Sequence, residues 1–272
     1  MIEPRPLNPT PTREVPLPRA PLTRVIAQAR FPPILTIRDP DKVAVLQEPL
    51  RETYPNLSQN QVHNIEVLSG QAPNVRQDLI WRLTDREKDY RWRVSLGVDF
   101  VALETSSYDS RSDFLSRLYA VVCAVEQAFG PASATRLGLR YIDRLTDEAV
   151  DRVGEMIQPK VLGIIQAREN PNSTLGESVI NLMTEAQFLT QGDTRVLGRW
   201  GLLPPNTTYD PDVLEPVGNS SWILDLDMFA TESQPFASDG LLTAATGFAE
   251  YLYWLFRQMV TDEFLRFYGG KP

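Results

Sequence analysis

The fold class is decided by two neighbouring stretches, Leu79-Ile80-Trp81-Arg82-Leu83 and Arg91-Trp92-Arg93-Val94-Ser95-Leu96, in which apolar and charged or polar side chains alternate. An alternation of period two is typical of a β-strand with one buried face. The charged residues 85–89 between the two stretches predict a turn, and Gly97-Val98-Asp99 predicts a second turn before a strand at 100–105. Residues 78–107 are therefore predicted to form an antiparallel meander.

A long amphipathic helix is predicted to follow this meander over about residues 112–129. Asp109 and Ser110 can cap its start, and Gly130-Pro131 ends it. Apolar residues recur along it at spacings of three and four, as they do when one helix face is buried: Phe114, Leu115, Leu118, Val121, Val122, Val125 and Phe129.

The segments that flank the meander and its helix also have clear signals. Towards the N-terminus, residues 25–31 and 62–68 predict strands, and Asp39-Pro40 starts a helix over 40–54 that we expect to bend or break at Pro49. Towards the C-terminus, residues 137–145 predict a strand, and Thr146-Asp147-Glu148 opens another helix.

The second half of the chain repeats this plan as a pattern without residue identity. A hairpin at 179–188 and 194–203 is followed by a loop at 204–219, a strand at 222–229 and a helix over 240–268. We therefore predict an α+β fold, a pseudo-duplicated antiparallel sheet with two long amphipathic helices packed on one face. The predicted domain comprises residues 22–272, built of the halves 22–146 and 147–272.

Residues 1–21 contain seven prolines, at positions 4, 6, 9, 11, 16, 18 and 21, and almost no apolar periodicity. Such a segment is expected to be extended, close to polyproline II, and we call it the N-terminal arm. Arms of this composition dock in the aromatic grooves of partner proteins. The arm could bind a partner protein in this way. A plain arm without a partner is the simpler interpretation.

The composition limits the compartment and the class of partner. A formal net charge of −8 argues against general nucleic-acid or anionic-membrane binding. The chain contains one cysteine, which suits a reducing compartment, and no apolar run long enough to cross a bilayer. We expect a soluble cytoplasmic protein without a membrane segment. Whether the protein forms a homodimer stays open.

Several classes of catalytic site are excluded by residue type. His63 is the only histidine, so a metal site with two histidines cannot form. Cys123 lies in an apolar helical run, where a thiol behaves as an inert small hydrophobe. No phosphate-binding glycine loop follows a strand. The sequence thus favours a protein without catalytic activity and predicts no cofactor.

Arginine on predicted strands is the most distinctive feature. Lysine occurs four times among 27 basic residues, so arginine supplies most of the positive charge. Its planar fork of donors suits carboxylate and phosphate groups, although cross-strand pairing with Asp or Glu is the plainer interpretation. The candidate ligand-binding residues are Arg82, Arg91, Arg93, Arg140, Arg144 and Arg199.

A pair of carboxylates on one strand supports an alternative. Asp225 and Asp227 lie two residues apart, so both side chains project to the same face of the sheet. Oxygen ligands of this kind can help to hold Mg²⁺, although a solvent-facing or salt-bridged pair is the plainer interpretation of the spacing. The alternative function is a divalent-metal-dependent hydrolase or nuclease.

Four motifs resemble a sporadically distributed bacterial family of proteins of similar length, to which no activity has been assigned. They are Pro21-Leu22-x-x-Val25-Ile26-x-x-x-Arg30-Phe31-Pro32-Pro33, Leu137-Gly138-Leu139-Arg140-Tyr141-Ile142-Asp143-Arg144, Ile223-Leu224-Asp225-Leu226-Asp227 and Val260-Thr261-Asp262-Glu263. The resemblance runs from about residue 20 to the C-terminus. It implies a bacterial, stand-alone protein, and its patchy distribution hints at an accessory or defence-type module. It implies no site residue.

Together these observations favour a non-catalytic binding or interaction protein. It would contact a small anionic ligand or an acidic partner through an arginine-bearing face of the sheet.

Overall fold

The computed structural model describes residues 5–66, 74–86, 90–169 and 175–272. It is a mixed α and β structure with a large antiparallel sheet. The strands, in chain order, are β1 (Leu22–Arg30), β2 (Asn56–Glu66), β3 (Asn74–Thr84), β4 (Trp92–Gly97), β5 (Phe100–Thr105), β6 (Ser133–Ala134), β7 (Arg136–Leu145), β8 (Leu182–Leu189), β9 (Thr194–Leu203), β10 (Ser221–Ala230) and β11 (Gln234–Pro235).

The helices of the described residues range from 4 to 22 residues in length. The α-helices are α1 (Pro40–Leu50), α2 (Arg111–Phe129), α3 (Glu148–Asp151), α4 (Val153–Met156), α5 (Pro159–Leu162), α6 (Ser238–Met259) and α7 (Asp262–Phe267). Two 3₁₀ helices span Leu35–Arg38 and Gly163–Glu169. No helix in the described part of the chain is both long enough and apolar enough to span a membrane.

Within the described residues, nine strands form one sheet in the order β2-β3-β4-β5-β1-β7-β10-β9-β8, and β6 pairs separately with β11. The pairs β2–β3, β3–β4, β4–β5, β8–β9 and β9–β10 are antiparallel. The predicted meander and hairpin are thereby confirmed. The alternation reflects one buried face of these strands. Its apolar members are all buried: Trp81, Leu83, Trp92, Val94 and Leu96.

Helix ends follow the capping signals. The Asp39 side chain accepts a hydrogen bond from the Asp41 N–H at the start of α1, and Ser110 accepts one from Asp113 at the start of α2. Gly130 ends α2 in the left-handed conformation, with φ 53°. Helix α1 ends at Leu50, one residue past Pro49 and four residues before the predicted end, because Pro49 has no N–H to donate to the carbonyl of Val45.

The predicted helix over 240–268 is wrong in one respect, because it is two helices. α6 ends at Met259, Val260 forms an isolated β-bridge with Ile157, and the Thr261 side chain caps α7 by accepting from the Phe264 N–H. Thr261-Asp262-Glu263 is itself a helix-start signal, and here it outweighs the apolar stripe that continues across it. The helix predicted to open at Thr146-Asp147-Glu148 is α3, which begins at Glu148 and spans four residues.

The chain divides into two compact units. Unit 1 comprises the N-terminal residues up to Val25, Leu139–Ala230 and Gly247–Pro272, and unit 2 comprises Ile26–Gly138 and Thr231–Thr246. The predicted halves 22–146 and 147–272 are a different division of the chain, and they stay a prediction.

The N-terminal arm packs within unit 1 against the C-terminal helices. The backbone N–H of Val15 donates to the Tyr253 hydroxyl at 2.8 Å, and that hydroxyl donates to the Arg13 carbonyl at 3.3 Å. Further along, the N–H of Arg19 donates to the Tyr268 carbonyl at 3.2 Å. Tyr251, in α6, and Tyr268, at the end of α7, are buried, each 8% exposed.

Candidate functional site

A row of alternating charges crosses four neighbouring strands of unit 1. Asp225 on β10 lies opposite Arg199 on β9, and Arg199 lies opposite Glu185 on β8. On the other side of β10, Arg140 of β7 bonds to Asp225. Directly opposite residues on neighbouring strands point to the same face, so the four side chains form one cross-strand ladder. We call these four residues the charged row.

The buried end of the charged row is a two-pronged ion pair. The Arg140 Nε and Nη2 donate to the Asp225 Oδ1 and Oδ2 at 2.8 and 2.9 Å, and Nη2 also donates to Asp210 at 3.0 Å. The Asp225 side chain is 1% exposed and that of Arg140 15%. Burial opposes the charge on Arg140, but the hydrogen bonds and charge of Asp225 outweigh it and raise the arginine pKa. Arg140 is therefore held in place.

The loop between β9 and β10 adds a third donor to Asp225. The Tyr209 hydroxyl donates to Asp225 Oδ2 at 2.9 Å. Burial, and then the charge of Asp225, raises the pKa of Tyr209, so this phenol stays a neutral donor. Both oxygens of Asp225 thus accept hydrogen bonds from fixed donors, and the loop is tied to the sheet at this point.

The outer end of the charged row is open. The Arg199 Nε donates to Glu185 Oε2 at 2.7 Å, while Nη1 lies 3.9 Å from Asp225 Oδ2, too far for a hydrogen bond. Nη2 has no hydrogen-bond partner among the described residues. The exposed fractions of the two side chains are 29% for Arg199 and 62% for Glu185. An ion pair exposed to this degree is weak.

A pocket of about 370 Å³ lies at this open end. Its size is within the range of small-molecule sites. The lining combines one cation, two carboxylates, a phenol, a hydroxyl and a thioether, from Arg199, Glu185, Asp210, Tyr209, Thr184 and Met183.

An apolar cluster supports the loop beside the charged row. Ile142, Ile223, Leu203 and Leu214 are buried together, and Met183, Tyr209 and Val213 pack against them. Gly201 lies opposite Ile223 and Met183 with φ 152°, a backbone conformation that residues with a side chain rarely adopt. A Cβ atom at this position would collide with the backbone oxygen of Leu182. The sheet therefore requires glycine here.

Arg144 lies on the same side of β7 as Arg140 but is bonded differently. Its Nη1 donates to the carbonyl of Glu215 at 2.7 Å. Its Nε and Nη2 are buried, and neither atom has a hydrogen-bond partner among the described residues. Burial lowers the pKa of Arg144.

Asp143, between these arginines in sequence, points to the opposite face and is 6% exposed. Burial, reinforced by the negative charge of Asp225, raises its pKa to about 7. The pKa of Tyr268 is raised in turn, first by burial and then by the charge of Asp143. Asp143 is thus a carboxyl whose charge changes near neutral pH.

The other three predicted arginines belong to unit 2. Arg93 on β4 forms an ion pair with Glu104, which lies opposite it on β5, and stacks over the Tyr90 ring. Arg82 on β3 has its Nε buried without a hydrogen-bond partner among the described residues. Arg91 was predicted within a strand, but it lies just before β4, and its backbone N–H donates to Asp85. Unit 1 brings together only Arg140 and Arg199, through Asp225.

The predicted metal residues differ in their surroundings. Asp225 is enclosed by the donors described above, and Asp227 is half-buried two positions further along β10. Within residues 5–66, 74–86, 90–169 and 175–272, no three His, Cys, Asp or Glu side chains cluster so that they could hold a metal ion. His63 lies in β2, but its side chain lies outside the described residues, and Cys123 is a half-buried free thiol rather than a fully buried one.

Three site residues were missed in the sequence: Glu185, Tyr209 and Asp210. Glu185 is an ordinary polar position of an edge strand, and the other two lie in a loop rich in proline and asparagine. No local signal distinguishes them, because their role depends on strand pairing and on how the loop folds back.

The chain matches no protein-family model, and no curated protein matches it significantly. The resemblance to a bacterial family therefore stays a prediction.

Proposed function

We propose that this is a non-catalytic binding protein that contacts an anionic ligand or an acidic partner through the arginine-bearing face of its sheet. The observation that carries the proposal is Arg199. Its guanidinium lines the pocket and has an Nη2 without a hydrogen-bond partner among the described residues. A guanidinium in this state can donate a hydrogen bond to a carboxylate or phosphate oxygen.

The two arginines of the charged row have different roles in this proposal. Arg140 is bonded to two carboxylates and positions Asp225 and the loop. Arg199 is bonded to one exposed carboxylate, Glu185. Because an exposed ion pair stabilises a protein by only about 0–1 kcal/mol, an incoming anion can replace Glu185 at little cost. Glu185 would then turn towards solvent.

Charge limits which anions can bind. The pocket contains the carboxylates of Glu185 and Asp210 and a single arginine, so a highly charged anion would be repelled. A ligand with one anionic group beside a small apolar body fits the thioether of Met183 and the ring of Tyr209. Suitable probes are benzoate and phenyl phosphate, each with one anionic group on an apolar ring.

Two substitutions with opposite expected effects test the proposal. Arg199→Gln should weaken the probe that binds by about tenfold or more, because a charge-assisted hydrogen bond is lost. Glu185→Gln should strengthen it, because the carboxylate that competes for Arg199 is removed. Binding would be measured by isothermal titration calorimetry on the full chain.

The matched control is Arg51→Gln, which removes an exposed arginine of unit 2 that pairs with Glu48. It should leave probe affinity unchanged. If Arg199→Gln and Arg51→Gln bind the probes equally well, or if neither probe binds the unsubstituted protein, the pocket is not an anion site.

The alternative, a divalent-metal-dependent hydrolase or nuclease using Asp225 and Asp227, stays a prediction. A metal at Asp225 would have to replace the hydrogen bonds from Arg140 and Tyr209. Calorimetry with Mg²⁺ and Mn²⁺ tests it directly: stoichiometric uptake that Asp225→Asn removes would support the alternative.

We further propose a cytoplasmic protein of the bacterial family named above, and an accessory or defence-type role. A partner that recognises the arm, and a homodimer, also stay predictions. The pseudo-duplication, with α2 and α6 on one face of the sheet, is also still a prediction. It is supported by a strand and a short loop before each long helix.

A further inference from the structure

A buried part of unit 1, separate from the pocket, contains donors without acceptors. Arg144 is 8% exposed and makes one side-chain hydrogen bond, from Nη1 to the Glu215 carbonyl. Its Nε and Nη2, which are the two nitrogens that project side by side along one edge of a guanidinium, are buried and have no partner among the described residues. Burying a charged donor without a hydrogen-bond acceptor is costly, so we expect a bound group to supply acceptors at this edge.

The contacts between β7 and β10 indicate that Ser221 lies opposite Arg144. β7 and β10 are neighbours in the sheet, where Arg140 bonds to Asp225 and Ile142 packs with Ile223. Moving two residues towards the C-terminus along β7 therefore corresponds to moving two residues towards the N-terminus along β10, as in an antiparallel pair. The next pair in this series is Arg144 with Ser221. The Ser221 side chain is 1% exposed, and its hydroxyl also has no hydrogen-bond partner among the described residues.

The charged row shows how the same strands satisfy an arginine. Arg140 uses its Nε and Nη2 edge to hold the two oxygens of Asp225, at 2.8 and 2.9 Å. Arg144 presents the same edge, but the residue opposite it is a serine instead of an aspartate. A serine is shorter and carries no charge, so the opposite strand gives Arg144 no two-pronged counter-charge, and the charge of Glu215 does not outweigh the burial of the guanidinium.

A water molecule cannot satisfy all the donors at this place. The place offers three donors, namely Nε–H and Nη2–H of Arg144 and the hydroxyl of Ser221. A water molecule has two lone pairs and no charge, whereas a carboxylate or phosphate group has enough acceptor positions for all three and neutralises the guanidinium.

We propose that Arg144 and Ser221 form a buried oxyanion site beneath the loop between β9 and β10. It takes one small carboxylate or phosphate group, held side-on by Nε and Nη2 of Arg144 and accepting a third hydrogen bond from Ser221. The bound group replaces the carboxylate that Asp225 supplies to Arg140. The site uses no pocket residue, so it does not depend on the function proposed for Arg199.

The test compares anion binding by the dialysed full chain at low ionic strength. Formate probes the carboxylate source and inorganic phosphate probes the phosphate source, and chloride at equal ionic strength controls for general salt effects. Calorimetry and thermal denaturation are expected to show binding of one of the two oxyanions. Arg144→Gln should weaken that binding by about tenfold or more, the loss typical of a charge-assisted pair.

Ser221→Asp is the decisive variant, because it supplies the missing carboxylate from the chain. It should raise the melting temperature in the absence of oxyanions and abolish the oxyanion response. Arg51→Gln, at an exposed arginine of unit 2, is the matched control and should respond as the unsubstituted protein does. Benzoate binding, which depends on Arg199, is measured on Arg144→Gln as well and should be unchanged there, which keeps a failure of this site distinct from a failure of the pocket.

Three outcomes overturn the proposal. They are an unsubstituted protein that responds to neither formate nor phosphate more than to chloride, an equal response of Arg144→Gln, and a Ser221→Asp variant with a lowered melting temperature. If Arg144→Gln does not fold, NMR of the arginine Nε–H groups in the unsubstituted protein is used instead. An Nε–H signal should then shift on oxyanion addition in the unsubstituted protein and be unresponsive in Ser221→Asp.

Discussion

Replacing Asp143 with asparagine should make the protein more stable at neutral and alkaline pH. Asp143 is 6% exposed, and burial together with the charge of Asp225 raises its pKa to about 7. An asparagine side chain has nearly the same shape but cannot ionise, so the substitution removes the charge with little change in packing. Tyr268 faces the same group and stays neutral, because its pKa is also raised.

The magnitude follows from the difference between the folded and unfolded chain. A carboxyl whose pKa rises from the ordinary 3.8 to about 7 costs about 4 kcal/mol once it is ionised, since each tenfold change in proton affinity corresponds to about 1.4 kcal/mol. Because the folded state holds the proton more tightly, this stability is present below pH 4. It is lost as the pH rises to about 7, and the loss is complete above that.

Urea unfolding from pH 4 to 8, followed by tryptophan fluorescence, measures the effect. The free energy of unfolding of Asp143→Asn minus that of the unsubstituted protein should increase across this range, by up to about 4 kcal/mol. Taking the difference cancels the carboxylates that both proteins share. Asp212→Asn, at an exposed loop position, is the control and should give a difference that does not vary with pH.

A pH-independent difference for Asp143→Asn would refute the reasoning. It would mean that Asp143 has the same proton affinity in the folded and unfolded chain, so that neither burial nor Asp225 acts on it as described.

Three further predictions concern the charged row, the sheet and the arm. Asp225→Asn should lower the free energy of unfolding by about 3–5 kcal/mol, because the buried Arg140 loses its two-pronged counter-charge and keeps only the carboxylate of Asp210. Gly201→Ala should lower it by more than about 1 kcal/mol, because alanine is strained at φ 152°. Tyr253→Phe removes both hydrogen bonds to the arm, each worth about 1 kcal/mol. It should therefore speed tryptic cleavage after Arg13, as measured by mass spectrometry. Urea unfolding measures the first two.

Each of these has an outcome that contradicts it. Asp227→Asn, on the same strand but half-buried, should cost much less than Asp225→Asn, and equal losses would show that the buried ion pair has no special role. A Gly201→Ala protein of unchanged stability would mean that the strand can relax away from Leu182. Unchanged cleavage in Tyr253→Phe would mean that other contacts hold the arm.

Local chemistry made much of the fold predictable. The helix starts at Asp39-Pro40 and at Ser110 were correct because a capping side chain and its backbone donors lie within a few residues of one another. The meander was correct because alternation along a strand reflects which face is buried. The break at Thr261 was missed although its capping signal is present, because the apolar stripe of α6 leads on past it.

The site was only half predictable. The sequence placed Arg140 and Arg199 on strands and suggested that they bind carboxylates, as they do. It could not name Glu185 or Asp210 as partners, because those contacts depend on strand order and on the path of a loop. Nor could it separate the predicted arginines of unit 1 from those of unit 2, since strand propensity carries no information about long-range contacts.

Arg140 and Arg144 show this boundary most clearly. They lie four residues apart on one strand, so the sequence by itself determined that both are strand arginines on the same face. Tertiary structure alone decided that they differ. Arg140 holds the carboxylate of Asp225 on β10, whereas Arg144 donates to the carbonyl of Glu215, because a strand's neighbours are chosen by the folding of the whole chain.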